Sequence, residues 1–151
     1  MRWPLRSRRR AIHFLAAVRQ RLARPSPQPP PLLADLDPAF AAELAALLAA
    51  RGQPVLSRSV PGLSVVELCH CNDPRCASFY TVARFAANWR WQQGGETLDL
   101  DARTGTVRVD IAGEQIISVE VLDRPQLASA LKAALEHNPC LHGDDRLHRN
   151  T

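Results

Sequence analysis

Apolar positions along this chain change their spacing twice. Phe40, Leu44, Leu47 and Leu48 recur at three- and four-residue intervals; from Leu63 onward apolar and polar residues alternate; from Leu127 the helical spacing returns with Leu131, Ala134 and Leu135. The first stretch predicts a helix over residues 38–51. Asp37 can accept a hydrogen bond from a first-turn amide, Pro38 suits the first helical position, and Gly52 suits the reversal at the end. Asp123-Arg124-Pro125 opens the last helix in the same way, and Asn138-Pro139 closes it.

Between them, alternation predicts strands at 63–71, 79–85, 97–101, 106–112 and 116–122, with turns at Ala102-Arg103-Thr104-Gly105 and Gly113-Glu114-Gln115. Register follows from matching apolar faces. Pairing Leu98 with Val109 and Leu100 with Val107 sets Asp99 opposite Arg108. In the next hairpin a two-residue turn would set Val107 against Glu120, whereas a three-residue turn pairs Val107 with Val121, Val109 with Val119 and Ile111 with Ile117. A slip of one residue moves every side chain to the other face, so the second register is expected. It leaves Asp99, Arg108 and Glu120 as a charged stripe on the solvated face. The fold class is therefore α+β: an antiparallel β-meander of four to five strands with helices packed on one face.

Charge divides the chain differently. The net charge is +4, yet residues 1–24 hold eight arginines and no acid, while the remainder has eleven basic and fifteen acidic side chains. The segment Pro25-Ser26-Pro27-Gln28-Pro29-Pro30-Pro31 reads as a semi-rigid extended spacer. Four parts result: a basic N-terminal arm (1–24), a proline-rich linker (25–31), an α+β domain (32–138) and a polar tail (139–151). Within the arm, Ile12, Leu15, Val18 and Leu22 share one face of a basic amphipathic helix, a pattern that suits weak contact with nucleic acid or an anionic surface. A solvated tail has the same composition.

No stretch approaches the roughly 18 apolar residues of a membrane span. The arginine triplet 8–10 precedes only eight residues without a charge and no small-residue cleavage site, so the cytoplasm is the expected compartment. Four cysteines in 151 residues are too few for a disulfide scaffold.

Three of those four cysteines crowd into Cys69-His70-Cys71-Asn72-Asp73-Pro74-Arg75-Cys76. Cys69 and Cys71, two apart on a strand, share a face, and His70 points away from it. Cys76 can fold back across the Asn72-Asp73-Pro74 turn. Three thiolates need a fourth ligand for tetrahedral zinc, and Cys140 and His142 are the candidates, with His137 still helical. The spacing lacks paired C-x2-C knuckles. Small inert buried thiols, a zinc site, and a redox or disulfide pair all remain open. If a disulfide forms, Cys71–Cys76 is easier to close than Cys69–Cys71.

Other constellations point to structure. Asp99, Asp101 and Asp110 fall on the solvated face of a hairpin, where carboxylates are ordinary. Trp89 and Trp91 are expected to pack over a sheet edge or core rather than present a binding surface. There is no phosphate-binding glycine loop or nucleophile elbow, and nothing places a base beside a thiol.

The run from Leu68 to Thr81 resembles a group of uncharacterised small bacterial proteins whose motif is C-x-C-x-D-x-x-C-x-(S/T)-F-Y-T, followed by strands similar to Val107–Ile111 and Val119–Leu122 here. The resemblance covers about residues 40–136, with Asn72 where glycine is expected. It implies domain boundaries and carries no activity. The expected function is a small binding or regulatory module with a protein partner and a structural zinc at the cysteine loop. A thiol-dependent enzyme or redox protein is the first alternative, and a nucleic-acid-associated protein using the basic arm is the second.

Overall fold

Asp37 starts the helix Pro38–Ala50 as its sequence requires, its Oδ1 accepting from the Phe40 N–H at 2.9 Å. A computed structural model of the protein describes residues 29–136 except residue 72. The basic arm, the first residues of the linker, and the tail with His137, Cys140 and His142 lie outside the described residues.

The elements run α1 (Leu33–Leu36), α2 (Pro38–Ala50), α3 (Pro54–Ser59), a 3-10 turn (Val60–Gly62), β1 (Glu67–Leu68), β2 (Phe79–Tyr80), α4 (Arg84–Gln92), β3 (Gly95–Leu100), β4 (Thr106–Ala112), β5 (Gln115–Leu122) and α5 (Pro125–Glu136). The five strands form one antiparallel sheet in the order β1-β2-β5-β4-β3. This is an α+β fold. One sheet face carries Phe79, Leu100, Val107, Val109, Ile111, Val119 and Val121. It packs against Leu33, Phe40, Leu44 and Leu48 of α1 and α2, Leu56 of α3, and Leu127, Leu131 and Leu135 of α5.

Register in β3–β4 matches the alternation: Leu98 pairs with Val109, Leu100 with Val107 and Asp99 with Arg108. In β4–β5, Val107 meets Val121, Arg108 meets Glu120 and Val109 meets Val119. Beyond Asp110 the ladder shifts by one, so Ile111 pairs with Ile116 instead of Ile117 and the turn closes after Gly113-Glu114. The extra residue is a β-bulge, which lets Ile116 and Ile117 both be buried. Arg108 bonds Asp99 at 2.7 Å and approaches Glu120 at 3.5 Å on the outer face, as the charge stripe requires.

Two of the predicted strands are corrected. Within 63–71 the ladder covers only Glu67–Leu68, and residues 79–85 pair only at Phe79–Tyr80 before turning into α4. Phe85 is therefore helical and 84% exposed. The reason is topological. β2 pairs with β5, so the chain must cross β5 and β4 to reach the far edge as β3, and α4 makes that crossing over the outer face. Ala87 of α4 and Ile117 are buried between helix and sheet. Helices α1, α2, α3 and α5 occupy the opposite face. Helices α1 and α3 have no counterpart in the periodicity, because each contributes a single buried leucine, Leu33 or Leu56.

Candidate metal centre

The turn between β1 and β2 folds back on itself through backbone bonds that its sequence dictates. The Cys76 N–H donates to the Asp73 carbonyl at 3.1 Å, with Pro74 inside the turn, and Asp73 Oδ1 accepts from the Arg75 N–H at 2.9 Å. Arg75 then reaches Asp123 at 3.1 Å, while the Asp123 N–H donates to the Arg75 carbonyl. Cys76 also bridges Leu122. The loop is thus sewn to the end of β5 rather than left free.

This folding brings Cys69, Cys71 and Cys76 together. Their sulfur atoms all lie within 4.8 Å of one another, close enough to hold a metal ion. Three thiolates around one zinc ion sit about 3.8 Å apart for Zn–S bonds of about 2.3 Å in a tetrahedron, so small side-chain rotations separate the two geometries. Burial is graded: Cys76 is buried, Cys69 half-buried and Cys71 exposed, and all three are free thiols. The site therefore has a floor of sheet and an opening towards solvent at Cys71.

Backbone N–H groups face the sulfurs. The Cys71 N–H approaches Cys69 Sγ and the Ser78 N–H approaches Cys76 Sγ, each at 3.5 Å. The Asp73 N–H is the main cause holding the Cys71 thiol below its usual pKa. Each sulfur therefore has a backbone donor two residues on, an arrangement that favours thiolate over thiol. Burial acts the other way on Cys69, pushing it up to about 11, and neighbouring Cys71 and Cys76 add to the rise. Three thiols this close resist ionising together unless a cation offsets their charge. The Cys76 thiol also lies 3.2 Å from Ser78 Oγ, which accepts the Val121 N–H at 2.9 Å and ties the deepest sulfur to β5.

The remaining expected residues divide cleanly. His70 sits 3.2 Å from Glu67 and is not part of the sulfur cluster. Among the described residues no further histidine, cysteine, aspartate or glutamate joins the cluster. Cys140 and His142 fall outside the described residues. Trp91 lies against Gly95 of the edge strand β3, as expected, although 47% exposed, whereas Trp89 is 60% exposed on α4. The helix over 84–92 has no counterpart among the expected elements, and on it Phe85 and Trp89 stand four residues apart on the outward side. Among the described residues no helix is long and apolar enough to cross a membrane. In comparisons with known proteins, no family model, no curated protein and no solved structure matches this chain, so the chemistry of the cysteine loop stands on its geometry.

Proposed function

We propose that the chain is a small binding module whose β1–β2 loop is clamped by a structural zinc ion held by Cys69, Cys71 and Cys76. The observation that carries this reading is the convergence of three sulfurs within 4.8 Å in a loop already fixed to β5. Soft thiolates select zinc over the hard cations, and a closed tetrahedron suits a structural role. The fourth ligand is Cys140 or His142 from the tail. Metal binding in such a loop contributes directly to folding free energy, because the unfolded chain has no preformed site.

Elemental analysis of the purified full chain tests the proposal, expecting one zinc per chain, released by a thiol-modifying reagent. Cobalt substitution should give thiolate charge-transfer absorption and tetrahedral ligand-field bands. Cys76→Ser should abolish both. Zinc-free protein with unchanged stability would sink the reading.

The exposure of Cys71 beside two other thiols favours one second reading, a dithiol switch. Cys71 thiolate attacks oxidised glutathione, forming a mixed disulfide and releasing one glutathione thiolate. Cys76 then attacks the Cys71 sulfur, closing Cys71–Cys76 and releasing the second glutathione. Mass spectrometry after oxidised-glutathione treatment separates the two: zinc-loaded protein resists, whereas a switch closes an intramolecular disulfide.

A further inference from the structure

We infer that the cleft between α4 and the outer face of the sheet is a binding site for a guanidinium group, with Asp110 as counter-ion and Trp91 and Tyr80 as aromatic walls. The cleft is also lined by Asn88, Gln92, Thr97 and Ser118, and its volume is about 350 Å³. None of its lining residues belongs to the cysteine cluster, although the charge of Cys69 reaches Tyr80.

The floor is one lateral row of the sheet. Thr97 pairs with Asp110, Asp110 with Ser118, and Ser118 with Tyr80. Thr97 Oγ1 donates to Asp110 Oδ1 and Ser118 Oγ donates to Oδ2, both at 2.6 Å. Each carboxylate oxygen thus has one hydroxyl donor, which fixes the group's orientation and leaves acceptor capacity on both oxygens. Several carboxylates have cations: Glu43 has Arg124, Glu67 has Arg84, and Asp99 and Glu120 share Arg108, while half-buried Asp37 is taken up as the cap of α2. Among the described residues Asp110 belongs to no ion pair of that kind. The nearby cation of α4, Arg90, bonds Gln115 at 2.7 Å instead.

The chemistry of the lining selects the ligand. A single carboxylate with two hydroxyls is a poor site for a metal ion, and Asp110 belongs to no group of metal-ligating side chains among the described residues. An organic cation fits better, because aromatic faces attract it and a carboxylate neutralises it. Guanidinium matches in detail. Its planar fork can meet both Asp110 oxygens, it stacks on an indole, and Asn88 and Gln92 offer further amide acceptors. Trp91 lies close against β3: a Cβ at Gly95 would stand 2.5 Å from its ring, so only glycine there leaves room for the indole. The guanidinium could come from an arginine of this chain's own residues 1–24 or from another peptide.

Titration of the full chain with N-acetyl-arginine amide, followed by tryptophan fluorescence and by chemical-shift changes at the Trp91 indole, tests the inference. Saturable binding is expected, weakened about tenfold or more by Asp110→Asn, because a charge-assisted pair is replaced by a neutral one of the same shape. The neutral isostere N-acetyl-citrulline amide should bind at least about tenfold more weakly. Equal binding of the citrulline compound, an unaltered Asp110→Asn variant, or no saturable binding at all would overturn the site. Circular dichroism and unfolding of Asp110→Asn guard against a folding defect, and Trp91→Phe supplies a second variant that keeps an aromatic wall but should bind less tightly. In a full chain with all eight arginines of residues 1–24 changed to glutamine, tighter probe binding identifies the chain's own arm as the natural source. Unchanged binding assigns the guanidinium to another molecule.

Discussion

Arg124 and Glu43, 81 residues apart, meet in a two-pronged pair in which Nη1 and Nη2 each donate to a carboxylate oxygen at 2.7 Å. The guanidinium also lies 5.5 Å from the centroid of the Phe40 ring. It therefore ties the start of α5 to α2 across the top of the core, and both partners are mostly shielded from solvent, at 16% and 31% exposure.

Removing one partner should cost more than an exposed ion pair would. Arg124→Ala is expected to lower stability by about 1–3 kcal/mol, through two charge-assisted bonds, the packing on Phe40, and a carboxylate left alone. The Arg124 hydrogen bonds hold the Glu43 carboxyl below its ordinary pKa. A carboxylate whose folded pKa is depressed stabilises the fold fully above its unfolded value, and that contribution disappears as pH falls through the folded value. Urea unfolding of wild type should therefore weaken below about pH 4.5. Glu43→Gln should show less of that acid sensitivity.

The sheet register yields a contrast between two neighbours on β4. Val109 is fully buried and Arg108 lies on the outer face. Val109→Ala should cost about 1–3 kcal/mol through lost burial and a cavity. Arg108→Ala should cost less than about 1 kcal/mol, since its partners are exposed. Equal losses in chemical denaturation would contradict the assignment of faces.

Gly95 should tolerate no side chain. A Cβ there would stand 2.5 Å from the Trp91 ring and 2.7 Å from the Trp91 Cα, so Gly95→Ala must displace the end of α4. A loss of about 1–3 kcal/mol is expected from overpacking, with a changed tryptophan emission spectrum. Gly62→Ala is the control, because a Cβ at Gly62 meets nothing within 4 Å.

The thiols should react in order. Brief treatment of metal-free protein with iodoacetamide at neutral pH should label Cys71 first, because it is exposed and its pKa is lowered. Cys69, pushed up to about 11, should follow slowly, and buried Cys76 should be labelled last. Raising the pH should narrow the gap between Cys71 and Cys69. Peptide mapping reads this directly, and faster labelling of Cys76 than of Cys71 would mean that the loop opens.

Features that depend on neighbours in the chain were readable in the residues themselves. Asp37 and Pro38 start α2 because a cap and a fixed φ act within one turn, and the β3–β4 register follows from Leu98, Leu100, Val107 and Val109 sharing a face across a short turn. The meeting of Cys69, Cys71 and Cys76 was legible for the same reason, since the three fall within eight residues around one tight turn. What the tertiary structure decided involves partners distant in sequence. Residues 79–85 alternate like a strand, yet β2 stops at Tyr80 because its partner is β5, nearly forty residues later, and the chain must then cross to the far edge. That crossing makes 84–92 a helix, turns Phe85 and Trp89 outward, and brings Trp91 to the same cleft as Asp110. The bulge at Ile116–Ile117 likewise reconciles a turn length with the burial of two adjacent isoleucines. Alternation along a strand reports which face each residue takes; it cannot report which strand lies beside it, because that depends on burying the whole sheet at once.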